Sequence, residues 1–169
     1  MPDADGLEML AQRIRDLRAD AVIEVTHNHG QAMIEVAPDA NREALVVLSE
    51  QGYSFLSSLH GVDYYPDEPR LGVHYQLLDM DRVDRVGVKL RVTLDDPAVA
   101  SVVDLFPTAD HHEREVYDMF GVVFEGHPDL RRILMPEDYQ GHPQRRDFPT
   151  GGEPVIFTYN EPQTPGWTQ

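Results

Sequence analysis

The alternation of apolar and polar residues from Val86 to Leu94 constrains the fold more than any other feature of the chain. Apolar side chains fill positions 86, 88, 90, 92 and 94, and Gly, Lys, Arg and Thr stand between them. Successive side chains of a β-strand point to opposite faces, so the pattern predicts a half-buried strand with one wet face. Strands of this kind are typical of antiparallel sheets.

The remaining elements are predicted from helical periodicity, cap residues and β-branched runs between turn signals. The predicted helices cover residues 5–19, 38–48 and 108–120, and a further helix is opened by Asp96 and Pro97. The other predicted strands cover residues 21–26, 31–37, 53–60 and 71–79. Neighbouring strands with short links form antiparallel pairs. The fold class is therefore α+β, a mostly antiparallel sheet of about five strands with helices packed on it.

Local signals predict where some elements begin and end. Asp5 and Glu8 have the spacing of a capping box at the first helix. The residues from His27 to Gly30 form a turn signal, and His27 and His29 are interpreted as turn residues without a further role. Gly52 stands where the second helix needs a C-cap glycine.

Proline interrupts regular structure beyond Phe124. Seven prolines stand at positions 128, 136, 143, 149, 154, 162 and 165. They disfavour a long helix or an inner strand there, because proline fixes φ and lacks the backbone N–H donor. We therefore divide the chain into an α+β domain, residues 1–124, and an irregular proline-rich strap, residues 125–169, which is expected to dock on a partner.

Composition excludes several classes of function. The 169-residue chain has no cysteine, which excludes cysteine-ligated iron–sulfur clusters, thiol catalysis and Cys-type zinc sites. A formal net charge of -16 argues against binding to nucleic acid or anionic lipid. No apolar run approaches the roughly 20 residues that span a bilayer, so direct membrane insertion is not expected.

Basic residues are concentrated in the strap, although the chain as a whole is acidic. Gly-His-Pro occurs at 126–128 and again at 141–143, and an arginine pair follows each copy. Guanidinium groups suit the binding of phosphate or carboxylate. Acidic residues are interleaved with the arginines, however, so pairing within the chain or with another subunit is favoured over an anion site. The arginines are Arg131, Arg132, Arg145 and Arg146, and the acids are Glu137, Asp138 and Asp147.

His111 and Glu115 are spaced i, i+4 on a predicted helix, so they share one face. With His127 or His142 they are candidates for a metal or acid–base site. The zinc-protease order HExxH is absent, because Val116 stands where the second histidine would be. A charged helix that faces solvent or a partner is therefore favoured. A free-standing metal-dependent hydrolase that uses His and Glu stays open as an alternative.

Three stretches near the end of the chain resemble the signature of one family. They read EREVYDMFGV from Glu113, GHPDLRRILMPEDY from Gly126 and GHPQRRDFP from Gly141. They resemble the 30-kDa subunit of NADH-quinone oxidoreductase, respiratory complex I. The resemblance covers residues 50–150, and the N-terminal third follows the family in layout only. The departures are His111-His112 before ERE, where the family has a Trp-like aromatic, and Gln144 and Arg146, where it reads GHPLRKDFP.

The resemblance implies a non-catalytic peripheral-arm subunit that binds no cofactor itself and supports the quinone-site subunit and assembly. Its implied partners are the 49-kDa-type quinone-site subunit and neighbouring iron–sulfur subunits. The complex would use NADH, FMN, iron–sulfur clusters and a quinone, and would pump protons at the cytoplasmic face of the cell membrane. Related ferredoxin- or deazaflavin-fed complexes and membrane-bound hydrogenases share the signature. The residues expected to dock on the partner are Glu113, Arg114, Glu115, Asp118, His127, Arg131, Arg132, His142, Arg145, Arg146 and Asp147.

Overall fold

The computed structural model describes residues 2–28 and 30–149; His29 and the end of the strap, residues 150–169, lie outside them. Within the described residues three helices and seven strands follow one another. The helices are α1 (Ala4–Leu17), α2 (Asn41–Glu50), which a 3-10 turn (Pro38–Ala40) precedes, and α3 (Ala109–Phe120). The strands are β1 (Val22–Asn28), β2 (Gln31–Val36), β3 (Phe55–Asp63), β4 (Leu71–Asp79), β5 (Asp84–Val92), β6 (Ala98–Ala100) and β7 (Val123–Glu125).

Strands β1 to β5 form one sheet in the order β1-β2-β5-β4-β3. Three of its four pairings are antiparallel, and the pairing of β2 with β5 is parallel. The parallel pair arises because α2, β3 and β4 all lie between β2 and β5 in the chain. The predicted α+β class with a mostly antiparallel five-stranded sheet is confirmed.

One face of the sheet forms the core. Val86, Val88 and Leu90 of β5 are completely buried, together with the apolar side of α1 and α2. The alternation that predicts this strand is confirmed, although β5 begins two residues earlier than expected and ends at Val92. None of the helices in the described part of the chain combines the length and apolar character that crossing a membrane requires.

The predicted capping box of α1 is wrong. Asp3, not Asp5, is the N-cap, and its side-chain Oδ1 accepts a hydrogen bond of 2.8 Å from the backbone N–H of Gly6. Asp5 lies in the first turn, where a negative charge interacts favourably with the helix dipole. The prediction for Gly52 agrees with its conformation, because Gly52 ends α2 with a φ of 100°, which a residue with a Cβ adopts only at a cost.

The helix predicted from Asp96 and Pro97 is also wrong, because this segment becomes the strand β6. It pairs in parallel with β7, which begins more than twenty residues later. The backbone N–H of Val123 donates to the carbonyl of Pro97 (2.7 Å), and that of Ser101 donates to the carbonyl of Glu125 (2.8 Å). The Asp-Pro signal is local, and the tertiary pairing overrides it.

The buried face of β5 generates the first prediction. Leu90→Asp should prevent folding, because an unpaired buried charge costs several kcal/mol, which is comparable with the total stability of a domain of about 5–15 kcal/mol. Circular dichroism and urea unfolding of the purified chain measure this. Thr93→Asp, just beyond the same strand at an exposed position, is the matched control and should change stability by less than about 0.5 kcal/mol. Lys89 does not suit as a control, since its Nζ lies 2.7 Å from Glu35. Equal behaviour of the two variants would contradict the assignment of the faces.

Candidate docking site

Helix α3 presents its last turn to the strap. The helix ends at Gly121, which adopts a left-handed conformation with a φ of 78°. A Cβ on this glycine would lie 2.5 Å from Nε2 of His142, so the strap approaches the backbone too closely for any side chain. Gly121 is therefore required both by its backbone conformation and by the packing of the strap.

Asp118 is completely buried on α3, and its carboxylate binds the first half of the strap. Its Oδ1 accepts a hydrogen bond of 2.6 Å from Arg132, and its Oδ2 accepts from the backbone N–H groups of Ile133, Leu134 and Met135 at 3.0, 2.8 and 2.8 Å. Burial by itself raises the pKa of Asp118, but these four donors outweigh it and hold the pKa below its usual value. One carboxylate thus fixes three consecutive residues of the strap.

The second half of the strap caps the carboxyl end of α3. The last carbonyls of a helix have no partner within the helix. Here Nδ1 of His142 donates to the carbonyl of Asp118 (3.0 Å), the backbone N–H of Gln144 donates to that of Met119 (3.2 Å), and Nε of Arg145 donates to that of Phe120 (2.5 Å). The cations Arg132 and Arg145 also lie at the negative end of the helix dipole, where positive charge is favourable.

A second anchor joins the strap to the loop between β3 and β4. The guanidinium of Arg70 makes two hydrogen bonds to Asp63 (2.8 and 2.7 Å) and two to Asp147 (3.0 and 2.8 Å). The backbone N–H of Arg146 donates to Asp63 at 2.7 Å. Hydrogen bonds from Arg70 hold the pKa values of Asp63 and Asp147 below their usual range. Arg70 and Asp63 have side chains only 5% and 3% exposed, so their bidentate contact is shielded from water, whereas Asp147 is 50% exposed.

Sequence reasoning missed Asp63 and Arg70. Asp63 is the last residue of β3, Arg70 ends the proline-containing loop that follows, and their partner Asp147 is 77 residues from Arg70. The only signal in the sequence was that an acid and an arginine flank a short loop. Nothing in that spacing pointed to the strap.

Glu113 is completely buried on α3 and contacts the segment between β6 and α3 rather than the strap. Its Oε2 accepts from the hydroxyl of Ser101 (2.7 Å), and its Oε1 accepts from the backbone N–H of Val102 (2.8 Å). Desolvation is the largest influence on this carboxyl group, and it raises the pKa of Glu113. Glu113 therefore holds the segment that precedes α3 against the helix.

The other residues predicted to dock are distributed between the inner side of the strap and solvent. Arg114 donates to the backbone carbonyls of Arg131 and Arg132 (3.2 and 3.3 Å). Arg131 is exposed and pairs with Asp129, Arg146 is exposed with Nη1 3.4 Å from the carbonyl of Tyr65, and Glu115 is exposed on α3. The structure thus places nine of the eleven residues, all but Glu115 and Arg131, in contacts that fix α3 and the strap to the domain. Their docking on a partner stays a prediction.

The histidines of the alternative metal site do not meet. His127 is held between Asp110, whose carbonyl lies 3.2 Å from Nε2, and Asp129, whose backbone N–H donates to Nδ1 (3.0 Å). His142 contacts the end of α3, and His111 is exposed. Among the described residues, no three histidine or acidic side chains are arranged to hold a metal ion.

The outward side of the strap carries apolar side chains. Leu134 is 59% exposed and Ile133 is 39% exposed, although both have their backbone N–H groups bound to Asp118. Tyr65, at the second anchor, is 53% exposed. The arrangement is a fixed backbone that presents apolar side chains and the exposed guanidinium groups of Arg131 and Arg146. It is suited to contact with another protein, because aromatic residues and arginine are enriched at interfaces.

Two solved structures share this fold. A trypsin-resistant fragment of Nqo5 superimposes with a TM-score of 0.64 and 32% sequence identity, covering 73% of this chain and 98% of the fragment. A chain of the membrane-bound sulfane sulfur reductase, an archaeal respiratory membrane complex, superimposes with a TM-score of 0.70 and 26% identity over 85% of each chain. The fold is therefore shared with a chain of an archaeal respiratory membrane complex.

Sequence comparison identifies the family. The family model of the respiratory-chain NADH dehydrogenase 30 Kd subunit matches residues 34–154. A NADH-quinone oxidoreductase subunit of Roseiflexus sp. strain RS-1 is 41% identical over 89% of this chain and 88% of its own length. A subunit of the same name from Saccharopolyspora erythraea is 46% identical over 91% of this chain, which spans 63% of that relative's length. The chain belongs to the family of the 30-kDa subunit, as its motifs predict.

The hydrogen bonds between the Asp118 carboxylate and the strap generate the second prediction. Asp118→Asn keeps the shape of the side chain but removes its negative charge. Asparagine has one acceptor oxygen, so at least one of the four donors that bind Asp118 then faces the N–H₂ group of the amide, which is itself a donor. Breaking a buried ion pair costs about 3–5 kcal/mol. The strap should therefore open more often, and trypsin should cleave after Arg131 and Arg132 roughly a hundredfold faster, because proteolysis follows the population of the open form.

Mass spectrometry of the early fragments measures this cleavage, and circular dichroism checks that the sheet stays folded. Asp129→Asn is the matched control, since Asp129 pairs with Arg131 on the surface, with side chains 57% and 60% exposed. Such pairs contribute about 0–1 kcal/mol. Equal cleavage rates in the two variants would show that Asp118 does not hold the strap.

The raised pKa of Glu113 generates the third prediction. Because the folded state holds the proton more tightly than the unfolded state, the free energy of unfolding falls as pH rises through the folded pKa of Glu113. Glu113→Gln keeps an acceptor for Val102 and does not ionise, so the variant should lack this loss. The difference in urea midpoint between variant and wild type should grow in favour of the variant as pH rises above 4.5, the ordinary pKa of a glutamate. Glu115→Gln, exposed on the same helix, should show no such trend. A constant difference for Glu113→Gln would contradict the burial of a charge there.

Proposed function

We propose that this chain is a non-catalytic peripheral-arm subunit of a proton-pumping NADH:quinone oxidoreductase, and that it supports the quinone-site subunit and assembly. Membership of the 30-kDa subunit family supports the class of complex. Relatives named as subunits of NADH-quinone oxidoreductase support NADH as donor and a quinone as acceptor. Oxidation of NADH and reduction of quinone would take place on other subunits, with FMN and iron–sulfur clusters bound there and none bound here.

The contacts of the strap carry the proposal of a supporting role. Polar groups of the strap are hydrogen-bonded to the carboxyl end of α3 and to Arg70. Few polar side chains of the strap are therefore left to act together on a substrate. A proline-stiffened segment that is already ordered loses little conformational entropy when a partner binds. Its outward side exposes Ile133 and Leu134 on a backbone that Asp118 holds still.

We assign different tasks to the residues predicted to dock. The set hydrogen-bonded within the chain positions the strap and forms the shape that the partner meets: Glu113, Arg114, Asp118, His127, Arg132, His142, Arg145 and the half-exposed Asp147. The exposed set contacts the partner: Glu115, Arg131 and Arg146, together with Ile133 and Leu134. The partner we propose is the 49-kDa-type quinone-site subunit, with iron–sulfur subunits of the peripheral arm beside it, at the cytoplasmic face of the cell membrane.

A second candidate is the equivalent subunit of a related complex fed by ferredoxin or deazaflavin, or of a membrane-bound hydrogenase. The similarity to a chain of the membrane-bound sulfane sulfur reductase favours it, because that complex is not an NADH dehydrogenase by name. The two candidates share the docking role and differ in the electron donor. Reduction of quinone by NADH in the purified native complex separates them.

The fourth prediction tests docking through the exposed leucine of the strap. Tagged chain purified from native membranes should bring the 49-kDa-type subunit and NADH:quinone reductase activity with it. Leu134→Asp should reduce the recovered complex about tenfold or more, because a charge in an apolar contact must be desolvated without a partner. Activity per intact complex should stay close to that of wild type.

Leu17→Asp is the matched control, since Leu17 on α1 is 65% exposed and Leu134 is 59% exposed. It should leave both recovery and activity unchanged. Recovery of the full complex with Leu134→Asp would contradict docking through the strap. Full recovery with a hundredfold lower activity per complex would instead give this segment a part in the chemistry.

A further inference from the structure

The face of the five-stranded sheet opposite α1 and α2 has its own charge pattern. On the central strand β5, the residues that alternate with buried Val86, Val88 and Leu90 point to this face. Three of them are Arg85, Lys89 and Arg91. A chain with a formal net charge of -16 and only 14 lysines and arginines thus places three cations in a line on its central strand.

One half of this face is occupied by side chains of the chain itself. Lys89 is paired with Glu35 of β2, with Nζ 2.7 Å from a carboxylate oxygen. Tyr64 lies over Gly72, shares a hydrogen bond of 2.7 Å with Nε2 of His74, and stacks under the guanidinium of Arg91 at 4.3 Å. Lys89 and Arg91 therefore already interact with other side chains of this chain.

The other half of the face is an open cleft of about 590 Å³ around Arg85. Met33 lies over Gly87 and forms part of the floor with Leu78, and the rim offers the hydroxyls of Ser57 and Ser58. No aspartate or glutamate among the described residues lines the cleft, although the chain has 30 acidic residues. The lining residues are Gly30, Gln31, Ala32, Met33, Ser57, Ser58, Gln76, Leu78 and Arg85.

Arg85 has no ion-pair partner among the residues that the structure describes, and its side chain is exposed. By contrast, the arginines at both anchors of the strap, Arg70 and Arg132, are each bound to carboxylates of this chain. A carboxylate accepts two parallel hydrogen bonds from a guanidinium, and hydroxyl and amide donors strengthen such a contact. The negative field of the rest of the protein repels an acidic group from most other parts of the surface.

We propose that this cleft is a second docking surface and that it receives an acidic side chain from a segment of a neighbouring subunit of the complex. The carboxylate pairs with Arg85 and accepts further hydrogen bonds from the Ser58 hydroxyl and the Gln76 amide. The inference rests on the proposed function, since it requires that the chain work within an assembly. It adds a contact that lies on the helix-free face of the sheet, away from the strap.

Site-specific photocrosslinking in the native complex tests the proposal. A photoreactive amino acid replaces Ser58 in the cleft, and the same amino acid replaces Gln12, exposed on α1, as the matched control. Mass spectrometry should find position 58 joined to a peptide of another subunit that contains aspartate or glutamate at or beside the crosslinked residue, and position 12 joined to none.

Charge reversal gives an independent measurement. Arg85→Glu should lower the recovery of the complex about tenfold at moderate salt, because the new charge repels the acid of the partner. Arg13→Glu, an equally large change at an exposed position of α1, should have little effect. Circular dichroism of both purified chains confirms that the variants fold.

Several outcomes overturn the proposal. One is the absence of a crosslink from position 58 while wild-type chain brings the 49-kDa-type subunit with it, which leaves the proposed function intact. A crosslink to a second copy of this chain, or to a basic segment, overturns it as well. Equal recovery of Arg85→Glu and Arg13→Glu does the same. If wild-type chain brings no other subunit with it, the proposed function fails together with this inference.

Discussion

The carboxyl end of α3 needs partners for its last carbonyl oxygens and for one buried carboxylate, and the strap supplies them. Asp118, Met119 and Phe120 each have their carbonyl bound by a donor from residues 142–145, and the Asp118 side chain binds four donors from residues 132–135. A buried carbonyl or carboxylate without a partner costs free energy comparable to a lost hydrogen bond or more. The helix end and the strap therefore stabilise each other.

This dependence explains how an acidic chain uses its few cations. Arg70 and Arg132 are bound to carboxylates, and Arg145 is bound to a helix carbonyl at the negative end of the dipole. The strap can thus be irregular and still fixed, because side-chain contacts replace the backbone ladder of a strand or helix. Arginine is suited to this task because its planar fork satisfies two acceptors at once.

The sheet could be predicted from the sequence, and the anchors of the strap could not. Strand β4 has the bounds that its pattern predicts, and the buried side of β5 agrees with the alternation from Val86 onward. These patterns are local, and the two-residue alternation of apolar and polar side chains is sufficient to predict a strand and its buried face. Asp96 and Pro97 predict a helix where β6 forms, because the pairing partner β7 lies beyond α3 and leaves no local pattern. The spacing of Asp63 and Arg70 does not point to the strap, since Asp147 is 77 residues from Arg70. The motifs single out the strap, but only the coordinates show which of its residues are hydrogen-bonded within the chain and which are exposed.

The position of the strap contacts after the main sheet in the sequence sets an order of events during synthesis. All five strands of the main sheet are complete at Val92, whereas the donors for α3 and for Arg70 arrive between residues 132 and 147. At about 5–20 residues per second, the ribosome needs several seconds to make the intervening segment. During that time the nascent protein has a folded sheet, an Asp63–Arg70 pair without its third member and an α3 that is still being made. The contacts of α3 and Arg70 with the strap therefore form after the five strands of the main sheet have been made.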